Sequence, residues 1–277
     1  MKNKKLLGTL FVVLGAVSWS FGGVLCKLIP WSGVPMSGFR SLFSALLYAL
    51  IIRRGFKVKL TRYTCLGAVG VAATGLLYIM AAKRTSAANA IVLQYCMPIF
   101  VILFTWIFQH KRPSKRDVIT CAFILLGVIL CSWNGLGNGH ITGDLLAIAA
   151  GVSFALVFFC SKLPGANAQD YNYLGFALGA LPALTAFGGG VTAVPMHWVG
   201  LIGMAVCLTM GYYFIARGME HTEPITAALL ANLEPVLNPL WVLLFLGEDP
   251  GVMTYLGAAV VLTSATVYSI SGLRNDA

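Results

Sequence analysis

An acidic residue stands inside a long apolar stretch near the C-terminal end of the sequence. Glu234 lies in the apolar run 223–246, beside Pro235 and close to Pro239. A charged side chain at the centre of a bilayer costs about 3 kcal/mol on insertion scales, so this carboxyl is expected to face a cavity or a partner. It could take up and release a proton there. Alternatively, it could bond backbone groups that the prolines free, or pair permanently with a basic residue.

Three amides and one arginine also interrupt apolar runs. Gln94, Asn232 and Asn238 fall on two runs that occupy corresponding places in the chain. Amides bond to neighbouring helices in membranes, so interhelical bonding and contact with a bound solute are both open for each of them. Arg40 lies about one turn into its run. It either extends to the outer interface along its aliphatic stem, or it binds a carboxylate.

Aromatic residues in these runs are candidates for the wall of an amphipathic binding site. The candidates are Trp19, Tyr78, Tyr95, Tyr212 and Tyr213. Because aromatics in membrane spans also serve as packing residues or as anchors at the interface, that role remains the alternative for each.

Prolines inside the apolar runs predict helices that bend. Pro98, Pro235 and Pro239 each remove one helical hydrogen bond and free a carbonyl group. Because a freed carbonyl in lipid must contact protein or water, these helices are expected to border a central cavity. Kinks that serve packing alone are the alternative.

The sequence shows no catalytic residues and no pattern typical of a metal or cofactor site. The seven cysteines are scattered singly, without a Cys-x-x-Cys pair, and are expected to be small packing residues. The four histidines lie near the ends of the apolar runs, and no phosphate-binding loop occurs. We therefore expect no enzyme activity, no metal, no cofactor and no direct use of ATP.

These residues must be positioned by membrane-spanning helices. The chain of 277 residues is 58% hydrophobic and only 10% charged, which excludes a soluble enzyme because a soluble surface needs more polar residues. Each span needs about 20 apolar residues. The prediction is an all-α integral membrane protein with ten transmembrane helices. The expected spans are residues 6–29, 36–52, 64–82, 86–108, 117–135, 142–161, 171–188, 197–217, 223–246 and 252–272.

The basic residues predict the orientation in the membrane. If the N-terminus is cytoplasmic, all but four of the 19 lysines and arginines fall on that side, the exceptions being Lys27, Arg40, Lys83 and Arg84. Cytoplasmic loops are enriched in Lys and Arg, so we expect a multi-pass protein of the cell membrane with both termini in the cytoplasm. The net charge of +10 follows from these loops and does not indicate a nucleic-acid partner.

The two halves of the chain resemble each other. Residues 15–19 and 150–154 align at an offset of 135, and Pro98, Phe108 and Pro113 align with Pro235, Phe245 and Pro250 at an offset of 137. Each repeat has an odd number of helices, so the chain leaves the first repeat on the other side of the membrane, and the second copy must enter from there. The predicted organisation is a first five-helix repeat over 1–135 and an inverted second repeat over 140–277.

The sequence resembles the EamA-type members of the drug/metabolite transporter superfamily over nearly its whole length. The resemblance is carried by 14–19 (Leu-Gly-Ala-Val-Ser-Trp), Arg40, 233–236 (Leu-Glu-Pro-Val), 246–248 (Leu-Gly-Glu) and 256–262 (Leu-Gly-Ala-Ala-Val-Val-Leu). The sequence departs from the family pattern at Ser20, where glycine is common, and the halves differ at Lys111 and Glu248. The resemblance implies passage of small metabolites, often amino acids or related amphiphiles, through a central cavity.

Symmetry and resemblance together favour a secondary transporter that works by alternating access. Glu234 is the candidate for proton coupling, and export is the candidate direction. The expected partners are the lipid bilayer and a solute that is an amino acid, an amine or an amphipathic drug-like molecule. The chain would act as a monomer or a homodimer. The alternative is a membrane enzyme or flippase acting on lipid-linked substrates, which would need reactive groups converging at one membrane face.

Overall fold

The computed structural model of the protein describes residues 2–22, 25, 29–53, 58–82, 84–85, 87–131, 133, 141–188, 191–247 and 251–274. Within these residues, all regular structure is helical. The junction 134–140 between the predicted repeats lies outside the described part, as do Glu248 and Pro250.

The helices follow the predicted spans closely. The first half contains α1 (Lys2–Ser20), α2 (Gly33–Ile52), α3 (Arg62–Ala82), α4 (Ala87–Gln94), α5 (Met97–Gln109) and α6 (Lys115–Cys131). The second half contains α7 (Ile141–Cys160), α8 (Ala168–Gly179), a 3-10 segment (Leu181–Gly188), α9 (Pro195–Met219), α10 (Pro224–Ala231), α11 (Glu234–Leu246) and α12 (Val252–Arg274). Because backbone groups have no water to bond inside a bilayer, each apolar run satisfies them within a helix.

Ten spans result when α4 with α5, α8 with the 3-10 segment, and α10 with α11 are each counted as one crossing. Within the described residues, six segments are long and apolar enough to cross a membrane by themselves, and Val252–Tyr268 is a shorter apolar helix. In the predicted span 6–29, α1 ends at Ser20, Gly22 and Leu25 are again helical, and residues 23–24 and 26–28 lie outside the described part. The predicted span 171–188 is broken into a helix and a 3-10 segment. The chain is a multi-pass, all-α membrane protein.

Two spans are interrupted at equivalent positions. The break between α4 and α5 and the break between α10 and α11 are separated by 137 residues, and so are the outer ends of these helices. Pro98 and Pro235 occupy the second position of α5 and α11, where a helix needs no N–H donor. These two prolines therefore begin new helices and do not bend continuous ones. Pro239 lies inside α11.

The packing between the halves is also symmetric. Helix α1 packs on α9 and α7 packs on α3, while α2 contacts α8 and α6 contacts α12. Small residues permit the close approach: a Cβ added at Gly8 would lie 3.0 Å from the carbonyl oxygen of Gly218, and one added at Gly127 would lie 2.9 Å from that of Gly257. This symmetry supports the two inverted repeats, whose boundaries at 1–135 and 140–277 stay a prediction.

Candidate functional site

A central cavity lies beside the two helix breaks. The empty space of the cavity, together with the open space in front of it, is about 970 Å³. Nine of the residues singled out in the sequence line it: Trp19, Arg40, Tyr78, Gln94, Tyr95, Tyr212, Glu234, Pro235 and Asn238. These residues come from both halves of the chain, so the symmetric packing of the halves is what brings them together.

Glu234 is the first residue of α11. The N-terminus of a helix carries unpaired N–H groups and a partial positive charge, which favour a carboxylate. The Tyr95 hydroxyl donates a hydrogen bond to Glu234 Oε2, and this bond joins the break in the fourth span to the break in the ninth. The carboxyl of Glu234 is therefore held at the point where the fourth and ninth spans are interrupted.

Arg40 faces the same cavity from α2. Its positive charge acts electrostatically on Glu234 and on Tyr212. The guanidinium lies beside Gly75 of α3, since a Cβ added at Gly75 would be in ordinary contact with Arg40 Nη2, at 3.4 Å. Of the two interpretations from the sequence, the position on the cavity wall favours contact with an acidic or carboxylate group over extension to the interface.

The three amides have different surroundings. Gln94 is 8% exposed and lines the cavity, and its Oε1 has no hydrogen-bond partner. Asn238 also lines the cavity. Asn232 is fully buried outside the cavity lining, and its Nδ2 donates to the carbonyl oxygen of Ala228 at 3.0 Å. Because Asn232 follows the last residue of α10, its side chain bonds a carbonyl at the helix end, which is a structural role.

Aromatic side chains form one side of the cavity. The rings of Trp19 and Tyr212 meet edge to face at 4.9 Å, and Phe154 lies 5.4 Å from Trp19. The Trp19 Nε1 donates to the carbonyl oxygen of Leu208 at 3.3 Å, which fixes the indole in place. Gly211 is required here, since an added Cβ would overlap the indole. Tyr78 contributes from α3.

Sequence reasoning missed several residues of the wall. Phe154 is one of them, although it aligns with Trp19 at the offset of 135 between the halves. The repeat was therefore a signal that could have identified Phe154. The other missed residues are Gly22, Thr74, Gly75, Ile79, Ile91, Met204, Cys207 and Leu208.

On the side of the bundle where the chain termini lie, the segments of the two interrupted spans pack against each other. There α5 packs against α10, and Met97, Val101 and Leu230 are buried in the core. A polar network on α2, α8 and α9 adds to this closed side: the Tyr48 hydroxyl donates to Gln169 at 2.5 Å, and Asn172 Nδ2 lies 3.1 Å from the Tyr48 oxygen and 3.2 Å from the Tyr212 carbonyl oxygen.

A helical bundle whose interrupted helices border a central cavity is the architecture of a membrane transporter. The EamA-like transporter family matches residues 6–133 and again residues 141–270. The chain belongs to this family, and with it to the drug/metabolite transporter superfamily. The relatives described below are named as a transporter, an exporter and a solute carrier.

Relatives with similar sequences cover nearly the whole chain. It is 28% identical to an uncharacterized transporter, YwfM, of Bacillus subtilis, covering 94% of this chain and 93% of that protein. It is 25% identical to the pseudopaline exporter CntI of Pseudomonas aeruginosa, covering 95% of each. It is 24% identical to solute carrier family 35 member G1 of Homo sapiens, covering 93% and 77%. The fold also matches a crystal structure with a TM-score of 0.81 and 18% identity, over 98% of this chain and 99% of the other.

Proposed function

We propose that the chain is a secondary transporter that moves small metabolites across the cytoplasmic membrane by alternating access. One observation carries the proposal: a cavity with an acid and an arginine on its wall lies at the two helix breaks, while the helix halves on one side of it pack together. A solute can then enter from one face only. A channel would need a path open to both faces.

The inverted symmetry supports a second, oppositely open state. The packed pair of α5 and α10 corresponds by symmetry to the pair of α11 and α4. Among the described residues, α4 and α11 contribute Ile91, Gln94, Glu234 and Asn238 to the cavity and lack packing comparable to that of α5 on α10. If the two pairs exchange their arrangements, α4 closes on α11 and the cavity opens at the other face.

The proposed energy source is a proton gradient. Glu234 is the carboxyl in the cavity that can carry a proton between the two states, and the Tyr95 hydroxyl bonded to it links its charge to both broken spans. Export is the proposed direction, as in the related protein named a pseudopaline exporter. A thermal-shift screen of metabolites, followed by uptake of the hits into proteoliposomes, identifies the solute.

We also propose that both termini lie in the cytoplasm, as the basic loops predict. The cavity is bordered by the end of α1, the start of α2 and the later half of α3. These helix portions lie away from the chain termini, so the proposed orientation makes the cavity open to the outside. Orientation and opening can be tested together because a native thiol, Cys207, lines the cavity.

A membrane-impermeant maleimide added to intact cells is expected to label Cys207 and to inhibit transport. The thiol is partly exposed in the cavity, and the attached group would block the space that the solute needs. Labelling is measured by mass spectrometry of the modified peptide. Cys207→Ser is expected to transport normally and to resist the reagent.

Cys160 is the internal control, because it is fully buried at the end of α7 and should stay unlabelled. Labelling of Cys207 only in inside-out vesicles would contradict the proposed orientation of the cavity. Labelling that leaves transport of the wild-type chain unchanged would contradict the cavity as the route of the solute.

A further inference from the structure

A second pocket lies on the side of the bundle that holds the N-terminus. It is formed where α7 ends, α8 begins and α9 ends, and its empty space, together with the open space in front of it, is about 700 Å³. Gly8 near the start of α1 packs against Gly218 near the end of α9, so the pocket and the N-terminus share one face, which is cytoplasmic in the proposed orientation. The polar residues of its lining are Ser161, Lys162, Asn167, Gln169 and Glu220.

We propose that this second pocket, named the anion pocket below, binds a phosphate group from the cytoplasm, and that the bound phosphate stabilises the closed side of the bundle. Lys162 supplies the positive charge. Gln169 supplies a hydrogen-bond donor and connects the pocket to the closed side. Binding of the phosphate does not depend on what the central cavity carries, whereas its effect on opening rests on the proposed alternating access.

Gln169 is the lining residue that lacks a partner. It is only 9% exposed. The Tyr48 hydroxyl accepts from Asn172 Nδ2 at 3.1 Å and donates to Gln169 Oε1 at 2.5 Å, which fixes the orientation of the Gln169 amide. The other end of that amide, Nε2, has no hydrogen-bond partner among the described residues, although buried donors are almost always bonded. A phosphate oxygen in the anion pocket would be its acceptor.

Lys162 is the charged partner for a phosphate. A lysine ammonium is a compact point charge with three donors, and lysine is a frequent phosphate ligand. Glu220 also lines the pocket, but both of its carboxylate oxygens accept from Arg217 Nη1, at 3.2 and 3.3 Å. Because Arg217 compensates the charge of Glu220, the lining keeps the positive charge of Lys162.

The start of α8 adds further attraction for an anion. The first turn of a helix carries a partial positive charge that favours phosphate. Asn167 Oδ1 accepts from the backbone N–H groups of Gln169 and Asp170 at 2.9 and 3.3 Å, so Asn167 Nδ2 points away from the helix and is a donor for the ligand. The carboxylate of Asp170 is not part of the lining and accepts the backbone N–H of Lys59 at 3.4 Å.

These groups match a phosphate better than other ligands. A cation would meet the like charge of Lys162, and like charges in one site repel each other. A phosphate group offers at least three strong acceptor oxygens, enough for Lys162, Gln169 and Asn167 together, whereas a carboxylate offers two. The phosphate can be free in solution or part of a lipid headgroup, because both present the same oxygens.

A bound phosphate would act on the closed side through Gln169. The bond from Tyr48 to Gln169 joins α2 to α8, and Asn172 joins α8 to α9 through the Tyr212 carbonyl oxygen at 3.2 Å. Opening toward the cytoplasm would separate these helices and with them the walls of the anion pocket. A ligand shifts a protein toward the state that it binds better, so phosphate is expected to slow this opening.

Binding is tested with the purified full-length protein and inorganic phosphate. Thermal unfolding is followed at constant ionic strength while phosphate replaces chloride, and the Tm is expected to rise with phosphate and to saturate. Lys162→Gln should weaken phosphate binding by about tenfold or more, because a hydrogen bond to a charged group is lost. Lys162→Arg keeps the charge and should retain binding.

Gln169→Glu isolates the contribution of the Gln169 donor. Glutamate has the same shape and still accepts from Tyr48, but an oxygen replaces Nε2, so phosphate binding should be lost. Lys115→Gln is the matched control: Lys115 is exposed and lies outside the lining, and its loss lowers the net charge equally. If phosphate raises the Tm of Lys162→Gln and Gln169→Glu as much as that of the wild type, the rise is a general salt effect and the proposal is wrong.

A second arm distinguishes the sources of the phosphate group. The protein is placed in nanodiscs of phosphatidylcholine, with or without phosphatidylglycerol, and without inorganic phosphate. A rise in Tm that needs both phosphatidylglycerol and Lys162 assigns a lipid headgroup. A rise that needs inorganic phosphate and Lys162 in pure phosphatidylcholine assigns a soluble phosphate. If neither arm gives a rise that depends on Lys162, the proposal is overturned.

The effect on opening is measured as transport in proteoliposomes, with inorganic phosphate on the cytoplasmic side at ten times its dissociation constant. Binding to one state then favours that state about elevenfold, so transport should slow by about tenfold in the wild type and little in Lys162→Gln. If phosphate binds through Lys162 and transport is unchanged, the effect on the closed side is wrong and the transporter proposal stands. If no solute is transported at all, the transporter proposal fails, while the Tm measurements still decide on the anion pocket.

Discussion

Replacing Glu234 by glutamine is expected to remove the pH dependence of transport and to lower its rate by about tenfold or more. Glutamine keeps the shape of the side chain and can still accept a hydrogen bond from Tyr95, but it cannot bind and release a proton. The hydrogen bond from Tyr95 then joins two neutral groups, and such a bond contributes about 0.5–1.5 kcal/mol, compared with about 1.5–3 kcal/mol for a bond to a charged group. A difference of about 1.4 kcal/mol corresponds to roughly tenfold in rate.

The measurement is solute accumulation in proteoliposomes with an imposed pH gradient. The wild-type chain should accumulate solute against its concentration gradient, whereas Glu234→Gln should only equilibrate it, at a rate that no longer changes with pH. Tyr95→Phe should retain the pH dependence with a lower rate, because the carboxyl remains and loses only its hydrogen-bond donor. Glu220→Gln changes an exposed carboxylate that is 45% accessible and should behave as wild type.

A pH dependence that survives in Glu234→Gln would contradict proton coupling through this residue. Gradient-driven accumulation that is lost in Tyr95→Phe as well would indicate that the Tyr95–Glu234 bond is needed for the conformational change itself. The carboxyl would then have the structural role that remained open at the sequence level.

The sequence could predict Glu234 because a carboxyl in an apolar run is costly whatever the surrounding fold. The repeat could predict the equivalence of the two broken spans, because Pro98 and Pro235 are separated by the same offset as the ends of their helices. The sequence could not show that these spans are interrupted, since an apolar run continues on both sides of each break and a proline at the start of a helix looks like one in its interior.

The remaining cavity residues could not be predicted for a related reason. In a helix of a soluble protein, polar residues mark the side that faces water, so the opposite, apolar side is the buried one. A helix in lipid is apolar on both sides, and this distinction is lost. Thr74 and Cys207 therefore carry no signal in the sequence, and Phe154 carries only that of its alignment with Trp19 in the repeat. The sequence does not distinguish Asn232 from Asn238, because their different surroundings follow from the helix break between α10 and α11. Asn232 bonds a carbonyl at the end of α10. Asn238 lies on the first turns of α11 and lines the cavity.

Gly38→Ala is expected to destabilise the fold more than other small substitutions in the bundle. A Cβ at Gly38 of α2 would lie 2.6 Å from Ala183 Cα and from the carbonyl carbon of Pro182. Both are backbone atoms of the 3-10 segment, so no rotation of a side chain can relieve the overlap, and the two elements must move apart. Overpacking of this kind costs about 1–3 kcal/mol, which lowers the Tm by about 5 °C in a chain of this size.

Gly22→Ala is the matched control, because a Cβ added at Gly22 meets no atom of the described residues within 4 Å. Thermal unfolding of the purified proteins, followed by intrinsic fluorescence, should separate the two variants. A Tm for Gly38→Ala equal to that of Gly22→Ala would mean that α2 and the 3-10 segment are not in contact.

The Gly38→Ala substitution is also expected to affect the cavity, because Arg40 lies two residues after Gly38 on the same helix. A displaced α2 moves the guanidinium, so Gly38→Ala should also weaken solute binding even at temperatures where it remains folded.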